Sequence, residues 1–286
     1  MGKITGKTKI TGLFGLPVEH SLSPAIHNAA FKSLNLNYCY LPFRVEEAEL
    51  ATAVKSVRSL GMAGVNVTAP HKQAVMPHLD EVSPEASFLE AVNTIVNEEG
   101  RLVGHNTDAG GFLAGLQYNV SAEEISEGKA LILGGGGAAR AAAAGLVQGQ
   151  METLFFALRS PEKLEPWQKT FSEAYHEVEI RAVALGGQDF KECLRKATLV
   201  INTLPALKDE NSQDWFLEIL AQARPRAFFS DLRYNPEEPP LLKMANSLGC
   251  RVQNGLPMLL EQAVLSFTLF TGVQAPRQAM REAVSL

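Results

Sequence analysis

The chain has 286 residues, of which 46% are hydrophobic and 20% are charged, and its formal net charge is −5 at pH 7. This length fits two domains of ordinary size, and the composition is that of a globular protein rather than a disordered or fibrous one. The acidic balance argues against the basic surface that nucleic-acid-binding proteins carry, so we expect no nucleic-acid partner.

Cysteine usage and hydropathy indicate the compartment. Cys39, Cys193 and Cys250 are far apart and match neither a disulfide framework nor a zinc-binding pattern. No apolar run is long enough to span a bilayer, and polar residues interrupt any signal-peptide core near the start. We therefore expect a cytoplasmic protein with no metal site and no membrane partner.

The first hundred residues predict alternating strands and helices. Leu50, Val54 and Val57 recur at helical spacing, and Asn97-Glu98-Glu99-Gly100 is typical of a hairpin turn. Pro70 predicts the start of a further helix. The strands are expected at 10–15, 38–45, 62–67, 92–96 and 101–103, and the helices at 23–36 and 46–60.

The second half predicts a parallel sheet. A helix that begins near Asp108 is expected to carry the chain into it, and a last helix, 259–270, is expected to pack back on the first domain. Six short apolar runs, most of them separated by helical stretches, have the spacing of βαβ units. These runs are 130–133, 153–158, 180–185, 198–202, 227–232 and 250–252.

These elements predict an α/β protein with two domains. An N-terminal α/β domain is expected at 1–107 plus 258–286. A Rossmann-like, doubly wound parallel-sheet domain is expected at 108–257.

A glycine-rich segment follows the first strand of the second domain. Gly134, Gly136 and Ala139 match G-x-G-x-x-G/A, and a helical stretch begins at Ala141. Such glycines let backbone N–H groups approach a pyrophosphate at a helix N-terminus. The segment therefore predicts a dinucleotide site; the alternative is a packing turn without a ligand.

The end of the next strand indicates which dinucleotide. An NAD enzyme usually has an acidic residue here, whereas this chain has Arg159 and, four residues on, Lys163. A guanidinium pairs well with a phosphate because it donates two parallel hydrogen bonds. We therefore expect NADP; the alternative is a solvated helix start in which Glu162 offsets Lys163.

A lysine and an acid upstream of the glycine segment suggest proton transfer. A cation is disfavoured in the first turn of a helix, so Lys72 is hard to explain structurally unless it is a surface lysine. Asp108 would keep a nearby ammonium charged and oriented, or would cap its helix. His71 is expected at the surface. Asn93 and Asn106, at strand ends, could bind substrate hydroxyls or serve turns.

Two hydroxyls precede the first helix. Ser21 and Ser23 lie on a turn that leads into it and could hold a small carboxylate with the helix N-terminus. Ser23 before Pro24 is equally typical of an N-cap, and Thr68 could likewise cap a helix after Pro70.

Six ordered segments together resemble the shikimate dehydrogenase family over essentially the whole chain. They are Ser21-Leu22-Ser23-Pro24, Asn66-Val67-Thr68-Ala69-Pro70-His71-Lys72, Ala91-Val92-Asn93-Thr94, Asn106-Thr107-Asp108, the glycine segment and Gly255-Leu256-Pro257-Met258-Leu259-Leu260-Glu261-Gln262.

This resemblance implies a two-domain enzyme of aromatic amino acid biosynthesis that reversibly reduces 3-dehydroshikimate with NADPH. Lys72 and Asp108 are then the catalytic residues. The substrate would also contact Ser21, Ser23, Thr68, Asn93, Tyr234 and Gln262. The cofactor would contact Gly134, Gly135, Gly136, Gly137, Ala138, Arg159, Ser160, Lys163, Thr203 and Gly255. We expect a monomer or homodimer.

The chain departs from the family in places. Family members often have Asn-Arg-Thr where this chain has Leu158-Arg159-Ser160, and the loop 202–205 also differs slightly. Two alternatives stay open: a quinate/shikimate dehydrogenase that uses NAD or both cofactors, and a non-catalytic NADP-sensing regulator. The presence of Lys72 and Asp108 disfavours the regulator, which would need neither.

Overall fold

A computed structural model describes residues 4–205 and 212–286 of the chain. These residues form two compact units. The first comprises the chain up to Gly111 together with Leu259–Leu286, and the second comprises Phe112–Met258. The domain limits expected from the sequence, 1–107 with 258–286 and 108–257, remain a prediction.

The first unit contains a mixed sheet. Its described strands lie in the order β2-β1-β3-β5-β6-β4, in which β2, β1 and β3 are parallel and β5 is antiparallel to both β3 and β6. The strands are β1 (Lys9–Gly15), β2 (Tyr38–Arg44), β3 (Gly64–Val67), β4 (Glu81–Val82), β5 (Thr94–Glu98) and β6 (Arg101–His105).

Helices cover this sheet. Leu50, Val54 and Val57 of α2 are buried in one hydrophobic cluster, which confirms the predicted helical spacing. A second cluster joins α1 to the last helices through residues such as Ile26 and Phe267. The helices of this unit are α1 (Ser23–Ser33), α2 (Leu50–Ser59), α3 (Pro84–Phe88), the start of α4 (Asp108–Leu116), most of α11 (Leu256–Thr271) and α12 (Arg277–Glu282).

The hairpin between β5 and β6 is confirmed. Its turn residues Glu99 and Gly100 both have positive φ, 53° and 98°, as a tight two-residue hairpin turn requires. The Asn97 side chain accepts a hydrogen bond from the Gly100 N–H at 2.8 Å and so closes the turn.

The expected helix after Pro70 is wrong. The chain instead forms turns and a short 3₁₀ helix, Met76–His78. In an α-helix the Lys72 carbonyl would accept from the Met76 N–H, but here it accepts from the Val92 N–H at 2.8 Å. A hydrogen bond to a distant segment therefore fixes this turn. Without the helix, the suggested capping role of Thr68 also falls away.

The expected surface position of His71 is also wrong. His71 is fully buried, and its Nε2 lies 2.7 Å from the Val45 carbonyl, to which it donates. The expectation assumed helical geometry, in which His71 would face away from Lys72. The turn directs the ring inward instead.

The second unit contains a parallel sheet, as predicted. Its described strands lie in the order β12-β11-β10-β7-β8-β9, and the order reverses between β7 and β10. This is the doubly wound arrangement, which binds ligands at the carboxyl ends of the strands where the order reverses. The strands are β7 (Ala130–Leu133), β8 (Thr153–Leu158), β9 (Glu179–Ala184), β10 (Leu199–Asn202), β11 (Phe228–Asp231) and β12 (Val252–Gln253).

Helices connect these strands and complete the second core. Strand residues such as Leu131, Val200 and Phe229 are buried with helix residues such as Phe190 and Leu241. The helices are α5 (Ala122–Ser126), α6 (Gly137–Gln148), α7 (Glu165–Ala174), α8 (Gln188–Lys196), α9 (Ser212–Gln222) and α10 (Pro240–Ser247). None of the helices in the described ranges is long and apolar enough to cross a membrane.

The first core contains a buried histidine. His27 is fully buried, its ring stacks on Tyr40 with centroids 4.4 Å apart, and Phe31, Phe267 and Phe270 surround it. Neither ring nitrogen has a hydrogen-bond partner among the described residues. Burial lowers the pKa of His27 from 6.5 to about 3. The imidazole is therefore neutral in the folded state at neutral and mildly acidic pH.

We predict that this histidine makes the fold acid-sensitive. Between pH 6.5 and about pH 3 the unfolded chain binds a proton at His27 that the folded chain does not. As the pH is lowered through this range, the free energy of unfolding should therefore fall by about 1.4 kcal/mol for each pH unit, relative to a variant without the imidazole. Above pH 6.5 this loss is absent.

Urea denaturation at a series of pH values checks the prediction, with His27→Phe as the reference because it keeps an aromatic ring at this position. Equal pH slopes for the two proteins below pH 6 would contradict it.

Candidate active site

Lys72 and Asp108 form an ion pair in the first unit. The Lys72 Nζ lies 2.6 Å from the Asp108 Oδ2, and the two side chains are 27% and 8% exposed. Lys72 comes from the turn after β3, and Asp108 is the first residue of α4. The pair therefore combines a partly accessible ammonium with an almost buried carboxylate.

Asn93 holds the other carboxylate oxygen. Its Nδ2 donates to the Asp108 Oδ1 at 2.8 Å, and its Oδ1 accepts from the Thr107 N–H at 2.8 Å. Asn106 serves the turn instead: its Oδ1 accepts from the Asp108 N–H, and its Nδ2 donates to the Ala91 carbonyl. Lys72, Asn93 and Asp108 thus lie together, while both polar groups of the Asn106 side chain hydrogen-bond to the main chain.

Further buried polar residues were not anticipated. Asn66 donates to the Thr94 Oγ1 at 3.0 Å, and Thr94 donates to the Asn93 Oδ1 at 2.9 Å. The Tyr40 hydroxyl donates to the Asn66 Oδ1 at 2.8 Å. Asn66 is a polar residue within the apolar strand β3, and this exception to the strand pattern could have identified it.

The two serines differ in their hydrogen bonds. Ser23 is the first residue of α1, so the expectation that it is the N-cap is wrong. Instead, the Ser21 Oγ accepts from the Ser23 N–H at 3.2 Å, and the Ser23 side chain hydrogen-bonds Tyr40. The chain turns one residue earlier than expected, and Ser21 therefore supports the start of the helix.

Thr68 and Gln262 also belong to this unit. Thr68 directly follows β3, and its N–H donates to the Phe14 carbonyl at 2.9 Å. A Cβ on Gly15 would lie 2.2 Å from its Cγ2, so residue 15 must be glycine for Thr68 to sit there. Gln262, on α11, lies against Gly111, and its Nε2 donates to the Leu259 carbonyl at 2.8 Å.

The glycine segment of the second unit packs so closely on its neighbours that a side chain would not fit at Gly134. Gly134 has φ +112°, and a Cβ there would lie 2.5 Å from the Thr203 Oγ1. Gly136 precedes α6, whose start has neither a side-chain cap nor an acidic residue in its first turn. The first N–H groups of a helix and its dipole favour an anion. Gly137 and Ala138, which open α6, belong to this end.

A cavity of about 490 Å³ adjoins the glycine segment. Arg159 and Lys163 are exposed, and Ser160 is partly buried. Two cationic side chains, Arg159 and Lys163, thus line a cavity beside the glycine segment. Its lining residues are Gly134, Gly135, Leu158, Arg159, Ser160, Lys163, Leu185 and Leu204.

A buried carboxylate joins two neighbouring strand ends of the second unit. Asp231 is fully buried; its Oδ2 accepts from Arg233 at 2.6 Å and from Asn202 at 2.7 Å, and its Oδ1 accepts from Arg233 at 2.9 Å. The hydrogen bond with Asp231 is the main cause of a raised pKa of Arg233. Asp231 thereby ties Asn202, the last residue of β10, to the start of the loop after β11, which contains Tyr234.

Gly255 packs directly against the loop after β11. Its N–H donates to the Arg233 carbonyl at 3.0 Å, and a Cβ there would lie 2.0 Å from the Leu232 oxygen. Tyr234 is partly exposed. Within residues 4–205 and 212–286, no cluster of three or more His, Cys, Asp or Glu residues could hold a metal ion.

Comparison with known proteins agrees with this architecture. Residues 13–95 match the family model of the shikimate dehydrogenase substrate binding domain, and residues 255–284 match that of the shikimate 5'-dehydrogenase C-terminal domain. The shikimate dehydrogenase (NADP(+)) of Desulforamulus reducens is 43% identical over 98% of this chain and 95% of its own length.

Solved structures agree as well. A shikimate dehydrogenase in complex with NADP+ is 35% identical, with a TM-score of 0.86, over 99% of this chain and 96% of its own. The Thermus thermophilus enzyme, in complex with NADP(H) and shikimate, is 35% identical, with a TM-score of 0.81, over 97% of this chain and 99% of its own. The chain therefore belongs to the shikimate dehydrogenase family.

Proposed function

We propose that this chain is an NADP-dependent shikimate dehydrogenase that reversibly reduces 3-dehydroshikimate to shikimate in aromatic amino acid biosynthesis. The observation that carries the proposal is the pair of Lys72 and Asp108, 2.6 Å apart, with Asn93 on the second carboxylate oxygen. A regulator that binds only a nucleotide needs no such pair, and a dehydrogenase needs a proton donor.

Lys72 serves as the general acid in this mechanism. Bound NADPH supplies the hydride for the C3 carbonyl carbon. Lys72 donates a proton to the developing alkoxide and accepts it in the reverse direction, a role that typically contributes roughly 10²- to 10⁴-fold to the rate. Asp108 keeps the ammonium oriented and accepts a hydrogen bond from a substrate hydroxyl, so that the reacting groups are positioned before transfer.

The second unit fits NADP. Gly134 to Ala138 offer a helix N-terminus to the pyrophosphate, because no side chain caps α6. Arg159, with Ser160 and Lys163, lines the adjoining cavity and would pair with the 2′-phosphate. Thr203, directly after β10, and Gly255, against the loop after β11, would contact the nicotinamide half.

Substrate binding is proposed for the following residues. Ser21 and Ser23 would hold the carboxylate, and the hydroxyls would contact Lys72, Asp108 and further polar side chains. These are Thr68, Asn93, Tyr234 and Gln262. A monomer or homodimer in the cytoplasm completes the proposal; the location rests on the three separated cysteines.

A steady-state assay with shikimate and NADP tests the function directly. Turnover of shikimate with NADP is expected. If no turnover were observed, the NADP-sensing regulator would be the better explanation. Quinate and NAD should be compared in the same assay. A higher kcat/KM with quinate or with NAD would favour the quinate/shikimate alternative.

Replacing Lys72 with Ala should lower kcat by roughly 10²-fold or more, because the general acid is lost. The affinity for NADP should change little, since Lys72 lies in the other unit. Initial rates with both substrates saturating measure the effect, and Lys55→Ala, an exposed lysine of α2, serves as the control.

Near-normal turnover of the Lys72→Ala variant would remove Lys72 from the chemistry. Asp108→Asn extends the test, because the two residues should act as a unit. If the double variant lost the product of the two single effects, the residues would be acting independently.

Replacing Ser21 with Ala should raise the KM for shikimate more than it lowers kcat. Anchoring of the carboxylate is largely the same in the ground state and in the transition state. Ser23→Ala is a less clean test because Ser23 also hydrogen-bonds Tyr40.

Melting temperatures of both serine variants separate anchoring from support of the helix start. An unchanged KM for Ser21→Ala would place the substrate carboxylate elsewhere. Ser33→Ala, at the far end of the same helix, is the matched control.

Replacing Arg159 with Ala should weaken NADP binding by roughly 10- to 150-fold and leave NAD almost unchanged, because a charge-assisted hydrogen bond is worth about 1.5–3 kcal/mol. Lys163→Ala should give a smaller loss, since its flexible charge is partly screened. Titration calorimetry with each cofactor measures both effects. An equal loss for NADP and NAD would show that Arg159 does not select the phosphate.

A further inference from the structure

Tyr40 is a buried residue that the mechanism above does not use. It lies on β2, its side chain is fully buried, and its hydroxyl is placed between two polar residues. The hydroxyl hydrogen-bonds the Ser23 side chain and lies 2.8 Å from the Asn66 Oδ1. A tyrosine hydroxyl buried in this way needs both partners, because an unsatisfied polar group in a core is costly.

The direction of the bond to Asn66 is fixed. The Asn66 Nδ2 donates to the main-chain carbonyl of Asn93 at 3.2 Å, and a carbonyl can only accept. The Asn66 amide oxygen therefore faces Tyr40 and accepts a hydrogen bond from its hydroxyl. Burial raises the pKa of Tyr40, and the hydrogen bond with Ser23 opposes this only partly, so the phenol keeps the proton that it donates.

The same direction continues to the catalytic pair. Asn66 donates to the Thr94 Oγ1 at 3.0 Å, Thr94 donates to the Asn93 Oδ1 at 2.9 Å, and Asn93 donates to the Asp108 Oδ1 at 2.8 Å. The hydrogen bonds thus run in one direction, from the Tyr40 hydroxyl to the Asp108 carboxylate, and the Asn93 Oδ1 also accepts from the Thr107 N–H at 2.8 Å. We call this set the Tyr40 network, which consists of Tyr40, Asn66, Thr94 and Asn93.

Tyr40 itself is held rigidly. The Asn28 side chain pairs with its main chain: Nδ2 donates to the Tyr40 carbonyl at 2.9 Å, and Oδ1 accepts from the Tyr40 N–H at 3.0 Å. The His27 ring stacks on the phenol with an interplanar angle of 5°. Since α1 supplies Ser23, His27 and Asn28, one helix fixes the hydroxyl, the ring and the backbone.

We propose that Tyr40 is a positioning residue of the reaction, which acts through the Tyr40 network on the carboxylate of Asp108. The network orients the carboxylate so that its second oxygen meets the Lys72 ammonium. This inference rests on the proposed function, because it assigns Tyr40 a part in the reaction of that same site.

Tyr40→Phe tests the proposal because it removes the hydroxyl and keeps the stacked ring. The kcat/KM for shikimate should fall about 10-fold, the size of effect expected when one hydrogen bond of a buried network is lost. The KM for NADP should not change. Tyr38→Phe is the matched control, since Tyr38 lies on the same strand and stacks on α1 through Phe31 but is not part of the network.

A double-mutant cycle with Thr94→Val separates positioning from a loss of stability. Thr94→Val interrupts the network between Tyr40 and Asp108. In the Thr94→Val background, Tyr40→Phe should lower kcat/KM by a much smaller factor than it does in the wild type. All rates are corrected for the folded fraction at the assay temperature. A purely structural role would lower the melting temperature and leave the corrected kcat/KM unchanged.

The outcomes distinguish this inference from the proposed function. An inactive wild type would overturn the proposed function. An active wild type in which Tyr40→Phe matches Tyr38→Phe, or in which the losses from Tyr40→Phe and Thr94→Val simply add, would overturn the role of Tyr40 alone.

Discussion

The nearly buried carboxylate of Asp108 is the constraint around which the first unit is arranged. An ionised carboxylate in a protein interior is costly unless its oxygens are paired with charges and hydrogen-bond donors. Lys72 and Asn93 provide that pairing, one on each oxygen. These residues come from three separate segments, so β3, β5 and the start of α4 must meet before the carboxylate is satisfied. The contacts that pair the Asp108 carboxylate are therefore the same contacts that assemble the candidate site.

The second unit solves a similar problem with Asp231. This carboxylate accepts from Arg233 and from Asn202, and it thereby ties the end of β10 to the loop that follows β11. On the other side of the point where the strand order reverses, Gly134 leaves β7 with a positive φ that brings the backbone close to Thr203. A parallel sheet thus provides rigid strand ends, and a few polar or glycine residues shape them into a nucleotide-binding surface.

Much of this arrangement is local and could be predicted from the sequence. The strand–glycine–helix segment around Gly134 predicts its own conformation, and the regular βαβ spacing predicts the parallel sheet of the second unit. The turn at Lys72 could not be predicted in this way, because its shape depends on a hydrogen bond from Val92, twenty residues further along the chain. The burial of His71 follows from the same turn. The pairing of Asn66 with Thr94 depends on the antiparallel register of β3 and β5, which no periodic pattern in the sequence specifies.

The contact between Asn28 and Tyr40 also has a consequence for solubility. Within the described sheet of the first unit, β2 lies at the edge, and an edge strand offers free backbone groups to which another chain can add. Asn28 occupies both backbone groups of Tyr40 as a neighbouring strand would, and Pro42, two residues on, has no N–H to offer. The residue that fixes the main chain of Tyr40 thus also blocks strand addition at the middle of this edge and protects the sheet from aggregation.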